Sequence, residues 1–184
     1  MKFHTTSLEG LWRIELEPRE DERGFLARTY CDQEFAAHGL NTCWPQANLT
    51  RTRQRGAIRG LHWQAEPRPE VKLIRCVRGE IWDVLVDVRP GSRTWGRWEA
   101  FELRGDGRTQ LYVPAGFAHG FQCLEDHSEV AYLMGDSYVA ELSRGLRWND
   151  PQVGIAWPLP PTVLSPRDAG LPWLQDLPSS LFPS

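Results

Sequence analysis

The residues of this 184-residue chain whose types and spacing could do chemistry are five histidines, a scatter of arginines and one lysine set in an apolar run. His62 stands out among the histidines, which also include His4, His38, His119 and His127. It follows Arg59-Gly60-Leu61 and precedes Trp63-Gln64, and alternation along an extended segment puts Gly60, His62 and Gln64 on one face. If that face is the inside of a barrel, an imidazole there is a candidate general base. His119 lies in Pro114-Ala115-Gly116-Phe117-Ala118-His119-Gly120-Phe121, a turn entering a strand, where glycines allow close backbone approach to a ligand. Lys72 begins Val71-Lys72-Leu73-Ile74 and is either an edge lysine with its ammonium in water or an inward cation able to stabilise an enolate oxygen. Asp83 and Asp87 share one face of the next strand, and Arg23, Arg59 and Arg167 could pair with them or with phosphate. Tyr132 alternates with Val130 and Met134, so pattern alone reads it equally as a core tyrosine. Mixed charges in one interior point to a polar, charged ligand.

A barrel that holds a ligand could also hold a divalent metal. Such a site generally uses two histidines close together on one strand, then a carboxylate and a distant histidine. His62 has no H-x-H partner, and the next carboxylates, Glu66 and Glu70, read as loop residues, so the pattern speaks against a metal.

The elements that must position these groups are mostly strands. Val71 to Val77 and Glu80 to Val88 are β-branched runs separated by Arg78-Gly79, a hairpin pattern. In the second run Trp82, Val84, Val86 and Val88 share one face, and Ile81, Asp83, Leu85 and Asp87 the other; the partly polar second face suits a ligand-holding interior. Shorter strands are expected at Trp98 to Leu103, Gln110 to Val113, Gly120 to Leu124 and Val130 to Met134, with turns at Gly105 to Gly107 and Pro114 to Gly116. The helical signal is confined to Asp32 to Gly39, with Asp32 as cap, Phe35 as apolar face and Gly39 as stop. Many short strands with little helix predict an all-β jelly-roll barrel or sandwich. The chain reads as a single domain over 1–184: N-terminal strands and a short helix at 1–50, a core at 51–157, and an extended tail with a short helix at 158–184.

Composition narrows the function classes. Lys and Arg total 21 against 24 Asp and Glu, a net charge of −3, which lacks the basic footprint of a general nucleic-acid binder. No apolar stretch approaches the roughly 20 residues of a membrane span, and the N-terminal MKFHTTSLEG lacks the apolar core of a signal peptide. Cys31, Cys43, Cys76 and Cys123 are scattered, and read as reduced, mostly buried thiols of a cytoplasmic protein. Nine tryptophans and fourteen prolines fit a turn-rich β fold with an aromatic-walled pocket.

Taken in order, several strings resemble the dTDP-4-dehydrorhamnose 3,5-epimerase family over nearly the whole chain. They are Asp21-Glu22-Arg23-Gly24-Phe25, Gln46-Ala47-Asn48, Arg59-Gly60-Leu61-His62, Lys72-Leu73-Ile74-Arg75-Cys76 and Asp83-Val84-Leu85-Val86-Asp87-Val88-Arg89, then Pro114 to Phe121, Tyr132, Tyr138, Trp148-Asn149-Asp150-Pro151 and Leu164-Ser165-Pro166-Arg167-Asp168. The resemblance implies a cupin-type jelly roll, usually a homodimer whose N-terminal segment crosses to the partner, with no metal or organic cofactor. It implies inversion of dTDP-4-dehydro-6-deoxyglucose at C3 and C5, both next to the C4 ketone. In these terms His62 resembles the base, Asp168 the carboxylate that orients it, Lys72 the charge facing the oxyanion and Tyr132 the acid. Arg23, Gln46, Asn48, Arg59 and Arg167 would contact diphosphate and nucleoside, Tyr138 would lie near the base, His119 near the phosphate or sugar, and Phe25 would wall the nucleotide site. Two departures stand out: Glu70 where members often carry Gln, and Tyr138-Val139-Ala140-Glu141-Leu142-Ser143 where they commonly read Tyr-x-Pro-x-x-Glu, which puts nucleotide preference in doubt. The alternatives are a C3-only or other-deoxysugar nucleotide epimerase and, from a different class, a metal-binding cupin or a sugar-binding module.

Overall fold

The computed structural model describes residues 1–177 as two antiparallel sheets packed face to face in a jelly roll. Chain order gives β1 (Lys2–Thr5), β2 (Trp12–Glu15), β3 (Arg19–Asp21), β4 (Gly24–Leu26), α1 (Asp32–Ala37), β5 (Gln46–Thr52), β6 (Ile58–Gln64) and β7 (Lys72–Arg78). Then come β8 (Glu80–Asp87), β9 (Trp98–Arg104), β10 (Thr109–Val113), β11 (Phe117–Cys123), β12 (Ser128–Met134), β13 (Ser143–Gly145) and α2 (Pro166–Ala169). One sheet runs β1-β2-β10-β7-β12-β5 and the other β13-β6-β11-β8-β9, while β3 and β4 form a separate ribbon.

Alternation along the strands decides what each face meets. Ile81 and Leu85 of β8 point between the sheets, where they join Ile74, Leu111, Phe117, Phe121 and Val130 in the main core. Val84, Val86 and Val88 point the other way and, with Leu61 and Trp63, are covered by Val153, Trp157, Leu174 and Leu177. The segment from Val153 to Leu177 therefore covers the outer face of the five-stranded sheet; the rest of the expected 158–184 tail lies outside the described residues. Outside the six-stranded sheet, Phe35 of α1 packs on Ile14, Leu73 and Tyr112.

Two expectations need correction. β7 and β8 do not form a hairpin: β7 pairs with β10 and β12, and β8 with β9 and β11. The break is at Gly79, whose φ of 69° turns the chain from one sheet to the other and where an added Cβ would lie 2.6 Å from the Ser128 hydroxyl oxygen. A short β-branched pair of runs signals a hairpin only when each run finds its partner locally, and here both find distant ones. The short helix is where it was expected, but its N-cap is Cys31, with no side-chain cap bond, while Asp32 lies inside the first turn. Of the four free thiols, Cys76 and Cys123 are buried, Cys31 is half-buried and Cys43 exposed. No helix among the described residues is long and apolar enough to cross a membrane.

Candidate active site

Register places the two histidines that matter on neighbouring strands: His62 of β6 and His119 of β11 are direct partners. Gly60 makes that approach possible. With φ at 109°, it lies so close to β11 that an added Cβ would sit 2.6 Å from the Cα of Gly120 and 2.7 Å from the carbonyl oxygen of His119. Its N–H donates to Asp168 Oδ2 at 3.2 Å, and His62 Nε2 lies 2.8 Å from Asp168 Oδ1. Asp168 comes from α2, which begins at the capping hydroxyl of Ser165 with Pro166 behind it, a local signal strong enough to nucleate a single turn. Burial pushes the Asp168 carboxyl up. The hydrogen bond and charge of His62, the Gly60 N–H and Ser165 outweigh that burial and hold it below the usual carboxylate range. An ionised Asp168 fixes Nε2 as the protonated nitrogen and leaves Nδ1 basic.

The cavity in front of this pair, of about 250 Å³, is lined by Asn48 and Thr50 of β5, Arg59, His62 and Gln64 of β6, Glu70, Lys72 of β7, His119 and Phe121 of β11, Tyr132 and Met134 of β12, Tyr138, Ser143, Arg167 and Asp168. His62 and Gln64 do face the cavity, while Leu61 and Trp63 belong to the outer cluster, with Trp63 also touching the cavity wall. Lys72 Nζ is buried and sits 2.8 Å from Glu70 Oε1, with a second, longer bond of 3.4 Å to the His62 carbonyl oxygen. Tyr132 faces the cavity: burial pushes its hydroxyl well above the ordinary tyrosine range, against a 3.4 Å contact with the Thr50 hydroxyl. His119 Nε2 lies 2.7 Å from Asp83 Oδ1, and burial pushes the Asp83 carboxyl up. At the open end, Arg59 donates to the Thr52 hydroxyl at 2.8 Å and to the Arg51 carbonyl at 3.3 Å, and Arg167 donates to the Ser143 hydroxyl at 2.7 Å.

Nine of the twelve residues singled out from sequence line this cavity; Arg23, Phe25 and Gln46 do not. Gln46 lies just behind the wall, accepting the Tyr138 N–H at 3.0 Å, and Gln64 accepts the Val139 N–H at 2.8 Å, so two amides hold the Tyr138 segment in place. Arg23 and Phe25 sit on the β3–β4 ribbon away from the cavity, with Arg23 paired to Asp21 and Phe25 60% exposed. Of the partners open to Arg23, Arg59 and Arg167 from sequence, Asp83 and Asp87 are not the ones they meet. Asp87 instead accepts from Arg89, Ser92 and Thr94 at the far end of β8, so its charge serves a loop and not the cavity. Sequence reasoning missed Thr50 on a polar edge strand and left Glu70 as a loop residue; its position two residues before Lys72 was the available signal. Among the described residues no group of three or more His, Cys, Asp or Glu side chains is arranged to hold a metal ion.

Comparison with known proteins gives the family and the fold. Residues 5–176 match the family model described as dTDP-4-dehydrorhamnose 3,5-epimerase. A dTDP-4-dehydrorhamnose 3,5-epimerase of Sinorhizobium fredii is 41% identical over 181 residues, covering 98% of this chain and 93% of that one. The structure of a dTDP-6-deoxy-D-glucose-3,5-epimerase from Legionella pneumophila in complex with dTDP-4-keto-L-rhamnose superposes with a TM-score of 0.93 at 35% identity, covering 99% of this chain and 97% of that one. A 3'-monoepimerase from Streptomyces bikiniensis in complex with dTDP-quinovose gives 0.87 at 36% identity, covering 94% and 87%.

Proposed function

Because the chain belongs to the dTDP-4-dehydrorhamnose 3,5-epimerase family, we propose that it inverts C3 and C5 of dTDP-4-dehydro-6-deoxyglucose, giving dTDP-4-dehydro-L-rhamnose. The observation that carries this reading is the meeting, in one cavity, of a carboxylate-held imidazole, a buried ammonium and a tyrosine that keeps its proton. Each target carbon is acidified by the C4 ketone. His62 Nδ1 takes the proton, Asp168 stabilises the resulting imidazolium, and the enolate oxygen accepts a hydrogen bond from Lys72. Tyr132 returns a proton to the opposite face, which inverts the centre. One proton leaves and one arrives at each carbon, so the isomerisation consumes no redox equivalent.

Arg59 and Arg167 suit the diphosphate, having exposed forks and only neutral acceptors as partners. Asn48 and Tyr138 line the same end for the nucleoside, and His119 faces the sugar. The protein works as a homodimer in this reading. Its β3–β4 ribbon, with Phe25 and Leu26 60% and 76% exposed, reaches a second copy and brings Arg23 and Phe25 to that copy's nucleotide site. Four free thiols fit a cytoplasmic setting.

The test is incubation of purified protein with dTDP-4-dehydro-6-deoxyglucose in deuterium oxide. Deuterium at both C3 and C5 with formation of the rhamno product is the expected result. Incorporation at C3 alone makes the enzyme a single-centre epimerase, and no incorporation at either carbon removes the epimerase reading.

A further inference from the structure

The basic groups of the cavity divide into two kinds. Toward the inside, each one has its own carboxylate: His62 has Asp168, His119 has Asp83, and Lys72 has Glu70. Toward the opening, Arg59 and Arg167 are held by hydroxyl and carbonyl oxygens, and neither makes an ion pair among the described residues. The third inner pair differs from the others, because its cation is a compact ammonium on a flexible stem and not a planar imidazole. A bare ammonium at that depth would be the strongest anion site in the cavity, since charges interact far more strongly away from water. Glu70 is itself 92% buried by its 8% exposure, and its second oxygen, Oε2, is buried without a hydrogen-bond partner, so its negative charge is balanced by Lys72 alone.

We propose that Glu70 is a specificity-determining residue that cancels the charge of Lys72, so that the inner end admits an uncharged keto-sugar and refuses phosphate. The inference rests on the reading of the cavity as a nucleotide-sugar site, and it adds how the substrate is oriented. A molecule with a diphosphate at one end and a ketone at the other could enter a uniformly cationic cavity either way round. With Lys72 neutralised, the diphosphate finds uncompensated charge only at Arg59 and Arg167, and the sugar goes in first. Lys72 keeps its function under this arrangement. An ammonium has three N–H donors, and two are engaged by Glu70 and the His62 carbonyl. The third is left for a carbonyl oxygen, whose charge grows only in the transition state, so the pair spends little on binding a ground-state anion.

Inorganic phosphate is the probe, used as an inhibitor of solvent-deuterium exchange and as a titrant in calorimetry. In the otherwise unchanged protein, Glu70→Gln/Lys72→Met should leave phosphate affinity within about twofold of its starting value, because the pair it removes carries no net charge. Glu70→Gln, which keeps the shape, should bind phosphate about tenfold more tightly or better, the effect of exposing one nearby charge at the dielectric of a partly buried site. Glu70→Gln/Lys72→Met should lose that gain. A Glu70→Gln/Lys72→Met variant that loses phosphate affinity tenfold would mean that phosphate already rests on Lys72 in the unmodified protein, and it overturns the proposal. Unchanged phosphate affinity in Glu70→Gln overturns it as well. Neither result touches the epimerase reading, which stands or falls on deuterium uptake by the unmodified protein.

Discussion

The two histidine–aspartate pairs of this cavity are near copies that do different work. His62 and His119 are direct register partners, and each places Nε2 within 2.8 Å of an aspartate oxygen. The side chain of His62 is 36% exposed and that of Asp168 7%, whereas His119 and Asp83 show 6% and 0%. The carboxylates are also provisioned differently. Asp168 receives a second donor on its other oxygen from Gly60, while Asp83 Oδ2 is buried with none. Burial therefore wins at Asp83 and pushes its carboxyl up, and hydrogen bonding wins at Asp168 and holds it down. The same two residue types give a cavity-facing imidazole on a doubly held carboxylate in one place, and a fully buried brace in the other. The number of donors on the carboxylate and the access of the imidazole to the cavity decide which.

Breaking the first pair should have the largest effect. His62→Ala should lower solvent-deuterium exchange by about 10³- to 10⁴-fold, the contribution of a positioned general base. His119→Ala should lower it by less than about 10²-fold; equal losses in the two variants would show that the comparison has been drawn between the wrong pairs. Next comes the carboxylate. Asp168→Asn leaves the shape but reverses the support for an imidazolium, and exchange should drop by about 10²- to 10³-fold with KM little changed. Asp83→Asn should cost less than about tenfold in the same assay, because an amide can take the place of a carboxyl whose charge burial already disfavours.

The smallest effects are on stability and sharpen the electrostatic half of the comparison. Asp168 has a folded pKa below its unfolded value, so its contribution is complete above roughly pH 4 and fades as pH falls through the lower folded value. Asp168→Asn should therefore unfold about 2 kcal/mol more easily at pH 7, a difference that shrinks on acidification. Asp83 has the opposite sign: its ionisation is penalised in the fold above the raised pKa, and the penalty is relieved as pH falls. Asp83→Asn should stay within about 1 kcal/mol of the parent at pH 7. Chemical denaturation of both variants from pH 3 to pH 7 measures this, and parallel pH curves for the two would break the distinction.

How much of this was legible in the sequence depended on distance along the chain. The inward face of β6 and the two faces of β8 follow from alternation, because period 2 is a local property. The pairing of β7 and β8 was misread for the same reason, since their partners lie far away and the corner at Gly79 looks locally like a turn. β5, the polar segment Gln46–Thr52, carries no hydrophobic signal because it is an edge strand with most of its residues exposed, yet it supplies Asn48 and Thr50. Pattern could not connect Asp168 to His62 across 106 positions; only resemblance to a family did so. Glu70 looked like part of a loop, and its meaning appears only when its carboxylate is seen beside Lys72. Asp87 shows the reverse error: it shares a face with Asp83, but at the strand's end that face opens onto a loop.

The wrapping of the tail has a consequence for how the protein matures during synthesis. Both sheets are complete by Gly145, but the carboxylate that holds His62 arrives with residue 168, and the buried Asp150 fastens the later segment by accepting the Leu174 N–H at 2.6 Å. A nascent chain that has emerged only to residue 160 can therefore pair all its strands while Leu61, Trp63 and Val84 still lack Leu174 and Leu177 as cover, and His62 still lacks its aspartate. The bond that orients His62 and the cover of that apolar face come from the same final segment, so a chain stopped at residue 160 would leave Leu61, Trp63 and Val84 open to aggregation.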